Sequence, residues 1–578
     1  MIYHVTPLMP ARSGRDHAVH VPLRASGGCR RVFEGDQRRV GEHGSAGQNQ
    51  LPLFTHHLPT MISTAIGAAA VLVAAVAVAA SSVVSPAYGA AGVTLDDRVA
   101  HAHWRYRDSG KVLSNRVNVQ DGVMMRGEWE RRLKATNPRL VMRKVDVVAL
   151  KVRQTLQVIV ARNKARRQSR IKLDAFRRNA AKVKAFCAAM PRVAILHVHP
   201  SGTRDLKTIK EMLTELNPLV NGSLIIEEAN DGVLTTLYPN EVTALAALPV
   251  QRYSKFGAAG KRVIEELFFL PRKPETHSFT RFEALFTIGD LLLEQDESKD
   301  VYVEEKTFLD FAKRAVRLGL SYVEFTKVEI PPTRKALNRF GELKALIKKE
   351  TGMTANFVFA FVRTIEPTSL NRGWARDLVN LTTTAEENSL RGIDLLANEV
   401  GTPALEKAQG IYMPVAAARQ AGETRLKSTM HAGELGDPRN VRDAMIMGAE
   451  RIGHGVLLRE DPVAIEFARR TKVGIVCSLV SNRLLRVQAN YRTHPFLRFL
   501  RLGIPVSLST DDEGMFRTDI ANECEVAVSN TDVQYSEMVA LSRNAVLESF
   551  AGSTTKARLL ATLAQELKAF EASFKRTG

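Results

Sequence analysis

Cysteine, aromatic side chains and acidic charge are all scarce in this chain. Four cysteines in 578 residues are too few for a disulfide framework. Cys29 would be lost with a cleaved leader, leaving the odd set Cys187, Cys477 and Cys524. Cys477 sits in an apolar run and reads as a small buried hydrophobe. Aromatics make up 6% of the chain. In its most basic stretch they are only the scattered Trp104, Tyr106, Trp129, Phe176 and Phe186, which argues against a stacking platform for single strands, and no specific nucleic-acid partner is expected. Asp and Glu number 61 against 81 Lys and Arg, a net charge of +20. The deficit is local, because residues 105–184 hold 23 basic and six acidic side chains.

Overlapping that stretch, Val145 to Met190 alternates apolar and basic residues at helical spacing and predicts one or two long helices with a basic outer face. Residues 90–189 are therefore expected to form a basic helical extension. It would serve as a solvated face, as an electrostatic attachment to anionic surfaces through residues 105–184, or as a dimerising element. Residues 1–60 lack periodicity and read as disordered or as a misassigned upstream extension. From Met61 to Tyr88 runs an uncharged stretch rich in Ala and Val, ending in Ala87-Tyr88-Gly89. It predicts a signal peptide over 61–89 and a secreted or periplasmic protein, although no Lys or Arg precedes its apolar core. The stretch is also long enough for a retained membrane anchor.

Beyond residue 190, four short segments carry the chemistry: His197-Val198-His199, His431-Ala432-Gly433-Glu434, Gly453-His454-Gly455 and Ser509-Thr510-Asp511-Asp512. Each follows a β-rich apolar run, and functional residues at successive strand ends are what the C-terminal face of a (β/α)8 barrel provides. Along an extended strand alternate side chains share a face, so His197 and His199 point the same way. With His431 and Asp511 they make three nitrogens and one oxygen for a single Zn2+ ion. Glu434 lies past a glycine turn and reads as a general acid/base, His454 as a neighbour of the activated water, and Asp512 as a substrate contact.

In this order and with these intervals, the four segments resemble the adenosine/AMP deaminase family of metal-dependent purine deaminases. Gly392-Ile393-Asp394-Leu395, Ser481-Asn482, His494-Pro495-Phe496 and the closing Arg543 to Phe550 add to the resemblance, which covers residues 190 to 570. The lead-in Met190-Pro191-Arg192 is similar to the secreted adenosine deaminase growth factor branch. The resemblance implies hydrolytic deamination at C6 of a purine nucleoside. Glu434 would protonate N1, His454 would steady the attacking water beside Asp511, and Asp512 would hydrogen-bond N7. Three places depart from the family pattern. Pro200-Ser201-Gly202-Thr203 replaces an acidic contact to the ribose, with Ser201 left to hydrogen-bond; Ala397 stands where a glycine presents its N–H to purine N3; and Glu513 replaces a proline.

The expected architecture is α/β: a (β/α)8 TIM barrel over 190–578, with a helical insertion after the first strand and the helical N-terminal extension. Strands are predicted at 193–199, 322–328, 356–363, 391–396, 425–431, 451–457, 473–480 and 505–510. Residues 200–321 are too many for one crossover helix, so Ser278 to Glu294 is expected to cover the barrel mouth as a lid helix or to pack as ordinary core. The function expected is zinc-dependent conversion of adenosine to inosine and ammonia outside the cytoplasm. The alternatives are AMP or another 6-aminopurine as substrate, or a catalytically silent secreted binding or signalling protein.

Overall fold

The computed structural model describes residues 125–136, 144–230, 237–271, 279–365, 368–382 and 389–577. The expectations for 1–60 and 61–89 lie outside these residues, as does much of the basic stretch before 144. Among the described residues no helix is long and apolar enough to cross a membrane.

Eight parallel strands are hydrogen-bonded in chain order: β1 (Ala194–Val198), β2 (Tyr322–Val328), β3 (Thr354–Val362), β4 (Leu390–Leu396), β5 (Lys427–Ala432), β6 (Arg451–His454), β7 (Gly474–Cys477) and β8 (Val506–Leu508). They make the expected barrel. The run Thr354-Ala-Asn-Phe-Val-Phe-Ala-Phe-Val362 shows why: its residues are buried on both faces after the first, which a parallel strand sheathed by helices requires. The helix before it, Arg334–Thr351, buries Ala336, Phe340, Leu343 and Ile347, a stripe at helical spacing. Thr333 caps its start by accepting from the Ala336 N–H at 3.1 Å, and Gly352 ends it at φ 74°. Phe340 stacks on Phe357 of β3 with ring centroids 4.6 Å apart. Each such buried side chain contributes about 1.5–3 kcal/mol.

The sequence places all eight strands but extends three of them too far toward the mouth. β6 stops at His454 rather than 457, because His454 (φ 63°) and Gly455 (φ 62°) turn the chain into a 3-10 segment, Val456–Glu460. β7 stops at Cys477 because Leu479–Leu484 is already helical. β8 stops at Leu508, ahead of a turn through Asp511 at φ 60°. At each place the chain gives up ladder pairing to aim a side chain across the barrel axis. The seam between β8 and β1 is correspondingly thin. Val198 bridges Asp511, the Asp511 N–H donates to the His197 carbonyl at 3.1 Å, and the Ser509 hydroxyl accepts from His197 N–H at 3.0 Å and donates to His197 O at 2.6 Å.

Three helices of the extension are described: α1 (Arg126–Thr136), α2 (Lys144–Gln168) and α3 (Ala180–Ala189). They pack on the barrel. Trp129 donates to Asp443 at 3.1 Å, Gln154 donates to the Pro462 carbonyl at 2.9 Å, and Val183 and Phe186 are buried in the main core. Cys187 forms a disulfide with Cys524, 337 residues away; the odd cysteine count hid this single clasp, and Cys477 is the buried free thiol. Inside the insertion, α4 (Phe279–Leu293) lies where a lid or core helix was expected. It does both, since Ile288 and Leu292 face the insertion's own core while Phe282 and Leu285 pack against Val480, Met515 and Phe516 at the barrel mouth.

Candidate active site

β1 delivers His197 and His199, β5 delivers His431, β6 ends in His454, and the turn after β8 carries Asp511 and Asp512. All six are buried. Asp511 Oδ1 lies 3.2 Å from His197 Nε2 and 3.2 Å from His199 Nε2, and His199 Nε2 is 3.3 Å from His431 Nε2. Metal-binding atoms of His197, His431, His454 and Asp511 converge, as do those of His199, Asp511 and Asp512. Glu434 Oε1 is 3.6 Å from His454 Nδ1. Glycines make this crowding feasible: a Cβ on Gly202 would sit 1.7 Å from Asp512 Oδ1, and one on Gly453 would sit 2.8 Å from His197 Cε1.

Burial and mutual charge set the protonation preferences of the residues themselves. For His199, burial disfavours the cation, but Asp512 and Asp511 outweigh it and raise the imidazole to about 9. Burial, with His431 nearby, lowers His197 to about 4. Burial raises Glu434 well above the usual carboxylate range, helped by repulsion from Asp511, Glu399 and Asp512. Burial and Asp511 do the same to Asp512. Among the buried polar atoms that make no well-directed hydrogen bond within the described residues are His197 Nε2, Glu434 Oε1 and Asp512 Oδ1. Inside this cluster of metal-binding side chains, such atoms are available to an ion or a substrate.

That observation tests whether a metal fits. Four donors in a tetrahedron at zinc–nitrogen distances of about 2.0–2.1 Å stand about 3.3 Å from one another. Three donor separations, Asp511 to His197, Asp511 to His199 and His199 to His431, at 3.2, 3.2 and 3.3 Å, match that edge, and His197, His431 and Asp511 also gather with His454, so the residues present suit a metal ion.

A supporting set escaped the sequence reading. Asp394, at β4, holds His431: its Oδ1 accepts the His431 backbone N–H at 3.1 Å and its Oδ2 lies 3.0 Å from His431 Nδ1, which turns Nε2 toward the other donors. The Glu399 carboxylate accepts the N–H groups of Gly433, Glu434 and Leu435 at 3.0, 2.8 and 3.2 Å and the Asn440 amide at 2.9 Å, so it fixes the loop that carries Glu434. The Ser481 hydroxyl donates to Asp511 Oδ2 at 2.7 Å. Asn482 links His454 Nδ1 to His494 Nε2, at 3.0 Å on each side, and the Phe496 N–H donates to His494 Nδ1 at 3.2 Å. The direction of that chain follows from its fixed end. Because Phe496 can only donate, His494 carries its proton on Nε2, Asn482 receives it at Oδ1 and donates through Nδ2, and His454 Nδ1 is an acceptor. A neutral His454 therefore presents Nε2–H. Asp394, Asn482 and His494 fall in stretches that the family resemblance already marks, which was their available signal.

The remaining sequence candidates lie at the edge of the cluster. Ser201 is half-buried in the turn Pro200–Thr203 directly after His199. Ala397, just past β4, has φ 81°. Glu513 turns from the metal donors toward Arg314, at 3.5 Å, and accepts from the Thr510 hydroxyl at 3.2 Å; burial raises it to about 7.

The sequence profile described as adenosine deaminase matches residues 263–566, more than half of the chain. An aminodeoxyfutalosine deaminase of Streptomyces avermitilis is 27% identical over 324 residues, covering 53% of this chain and 87% of the relative. An adenosine deaminase of Enterococcus faecalis is 26% identical over 248 residues, covering 42% and 70%. Among solved structures, an adenine deaminase from Arthrobacter aurescens is 21% identical, covers 65% of this chain and 99% of its own, and has a TM-score of 0.48. Arabidopsis ADAL complexed with IMP is 18% identical, covers 67% and 99%, and has a TM-score of 0.47.

Proposed function

The chain belongs to the adenosine deaminase family and is a metal-dependent aminohydrolase, and from that premise we propose that it hydrolyses adenosine to inosine and ammonia. The observation that carries the reading is the convergence of His197, His199, His431 and Asp511, with donor separations of 3.2, 3.2 and 3.3 Å along Asp511–His197, Asp511–His199 and His199–His431. We propose zinc as the ion, because three imidazoles and one carboxylate suit a borderline-soft, redox-inert cation. Such an ion makes a water molecule acidic enough to act as nucleophile near neutral pH.

The chain's own groups do the rest. Asp394 and Ser481 orient two of the donors. His454 directs its Nε2–H at the oxygen that attacks C6. Glu434, held by the Glu399 clamp, exchanges a proton with purine N1, and Asp512, with its free Oδ1, hydrogen-bonds N7. Ala397 presents its backbone N–H to N3, and Ser201 faces the sugar. The lid helix α4 limits access of bulk water.

The test is the ultraviolet change on adding adenosine, AMP, adenine and aminodeoxyfutalosine separately, together with zinc analysis. Adenosine is expected to turn over fastest. His431→Ala is expected to leave a folded protein with little zinc and no turnover; normal zinc content in that variant would refute the ligand assignment. Preferential turnover of AMP would move the reading to the nucleotide. The family membership and the complete donor set leave the silent binding protein without support.

Export is the second part of the proposal. The apolar stretch 61–89 and a disulfide of a kind that persists in oxidising compartments support it. Mass spectrometry of the native N-terminus would locate a cleavage near residue 89, and recovery with the cytosolic fraction would refute export.

A further inference from the structure

On the side of the barrel where the extension docks, a cleft of about 830 Å3 lies among α2, the loop of Asp174 to Arg178, the segment Arg492 to Arg501 and the loop Ser529 to Asp532. It is separate from the metal donors. Seven arginines line it against two aspartates, and both aspartates are already engaged. Asp174 pairs with Arg177 at 2.6 Å and with Arg166 at 3.5 Å. Asp532 pairs with Arg162 at 2.5 Å and with Arg501 at 3.0 Å. Arg501 takes Glu537 as well, at 2.7 Å, and Arg177 donates to the carbonyls of Val528 and Val533 at 3.0 and 2.9 Å. These arginines hold the extension to the barrel.

The others do not have that employment. Arg498 is half-buried, burial lowers its guanidinium, and its hydrogen bond, at 3.4 Å, goes to the neutral Gln154 side chain. Arg178 and Arg492 are exposed and have no acidic partner among the described residues. Arg459 turns to Gln488 and stands 3.8 Å from Glu460. His494, which forms part of the wall, adds no charge, since burial lowers it to about 3. Cations gathered in a concave site without counter-charge repel one another and favour an anion that bridges them. Guanidinium forks match phosphate oxygens two at a time, and the volume is that of a small-molecule site.

We propose that this cleft binds a compact polyphosphate, free or as the phosphoryl tail of a nucleotide, with Arg498 and Arg492 as its principal contacts and Arg178 closing over it. Val158, Pro495 and Leu497 give the wall an apolar portion that a nucleoside attached to the tail would cover. The site does not depend on the deaminase reading and would stand if another purine proved to be the substrate.

The test is calorimetric titration of the full-length, zinc-loaded protein with tripolyphosphate and with ATP, at constant ionic strength and with the zinc content measured before and after. Saturable binding of one ligand per chain is expected. Arg492→Gln/Arg498→Gln should weaken it at least tenfold while adenosine turnover is unchanged, and Arg178→Gln, on an exposed residue that folding does not need, should weaken it severalfold. Equal affinity for both ligands identifies the phosphate chain as the determinant; tighter binding of ATP adds the apolar wall. No saturation at millimolar ligand, undiminished binding in the variants, or binding confined to long polyanions such as heparin or oligonucleotides would overturn the proposal.

Discussion

The hydrogen that His454 offers is fixed by residues that do not themselves reach the reacting atoms. The chain from Phe496 through His494 and Asn482 leaves His454 a donor at Nε2, suited to orienting an attacking oxygen and unsuited to accepting a proton from it in the same tautomer. Asn482→Asp replaces the donor with an acceptor and should draw the proton to Nδ1. The expected outcome is a fall in kcat of about 10²-fold or more, in the range of positioned acid/base groups, with KM and zinc content little changed; nitrogen NMR of His454 would report the tautomer directly. An unchanged tautomer would refute the relay. Glu434→Gln keeps size and polarity but cannot cycle a proton, so zinc and substrate binding should persist while turnover falls by about 10² to 10⁴; loss of zinc instead would mean that Glu434 is a ligand. Ala397 has a backbone that favours glycine, so Ala397→Gly should raise stability by about 1 kcal/mol in a urea titration and lower KM by widening the approach to purine N3. The metal donors were legible in the sequence because each ends an apolar run. Glu399 was not, because its partners Gly433 to Leu435 and Asn440 meet it only through space, and a carboxylate that caps a distant loop has no local pattern.

At the scale of elements, the eight strands were legible because buried parallel strands are continuous apolar runs, and the mouth ends were misplaced because side-chain hydropathy does not register a change of φ. The extension was legible as helices with a basic face; what the pattern could not give was the partner of that face. Arg177 and Arg501 spend their charge on carbonyls and carboxylates of the junction, so part of the basic excess is structural. The Cys187–Cys524 clasp joins α3 to the helix Ile520–Asn530. Cys187→Ser/Cys524→Ser should lower the unfolding free energy by about 3–5 kcal/mol in denaturant titration and leave kcat at 25 °C intact, because no proposed site residue touches it. An equal loss of activity in the folded variant would instead place the extension among the elements that shape the site.

For the whole molecule, the barrel closes where the metal would bind. His197 and Asp511 stand on opposite sides of the β1–β8 seam, which is held by one bridge and the Ser509 hydroxyl, so an ion shared between them would also staple the sheet. Chelation should lower Tm and increase hydrogen exchange most at residues 194–199 and 506–512, with little change in β3 and β4; uniform loosening would separate the ion from the seam.

The same seam orders events during synthesis. Asp511 follows His197 by 314 residues, an interval of about 15–60 s at ordinary rates of translation. A nascent barrel therefore passes through a long open stage with imidazoles but no completed cage, and a metal ion and catalytic competence would arrive together, once Asp511 has been made.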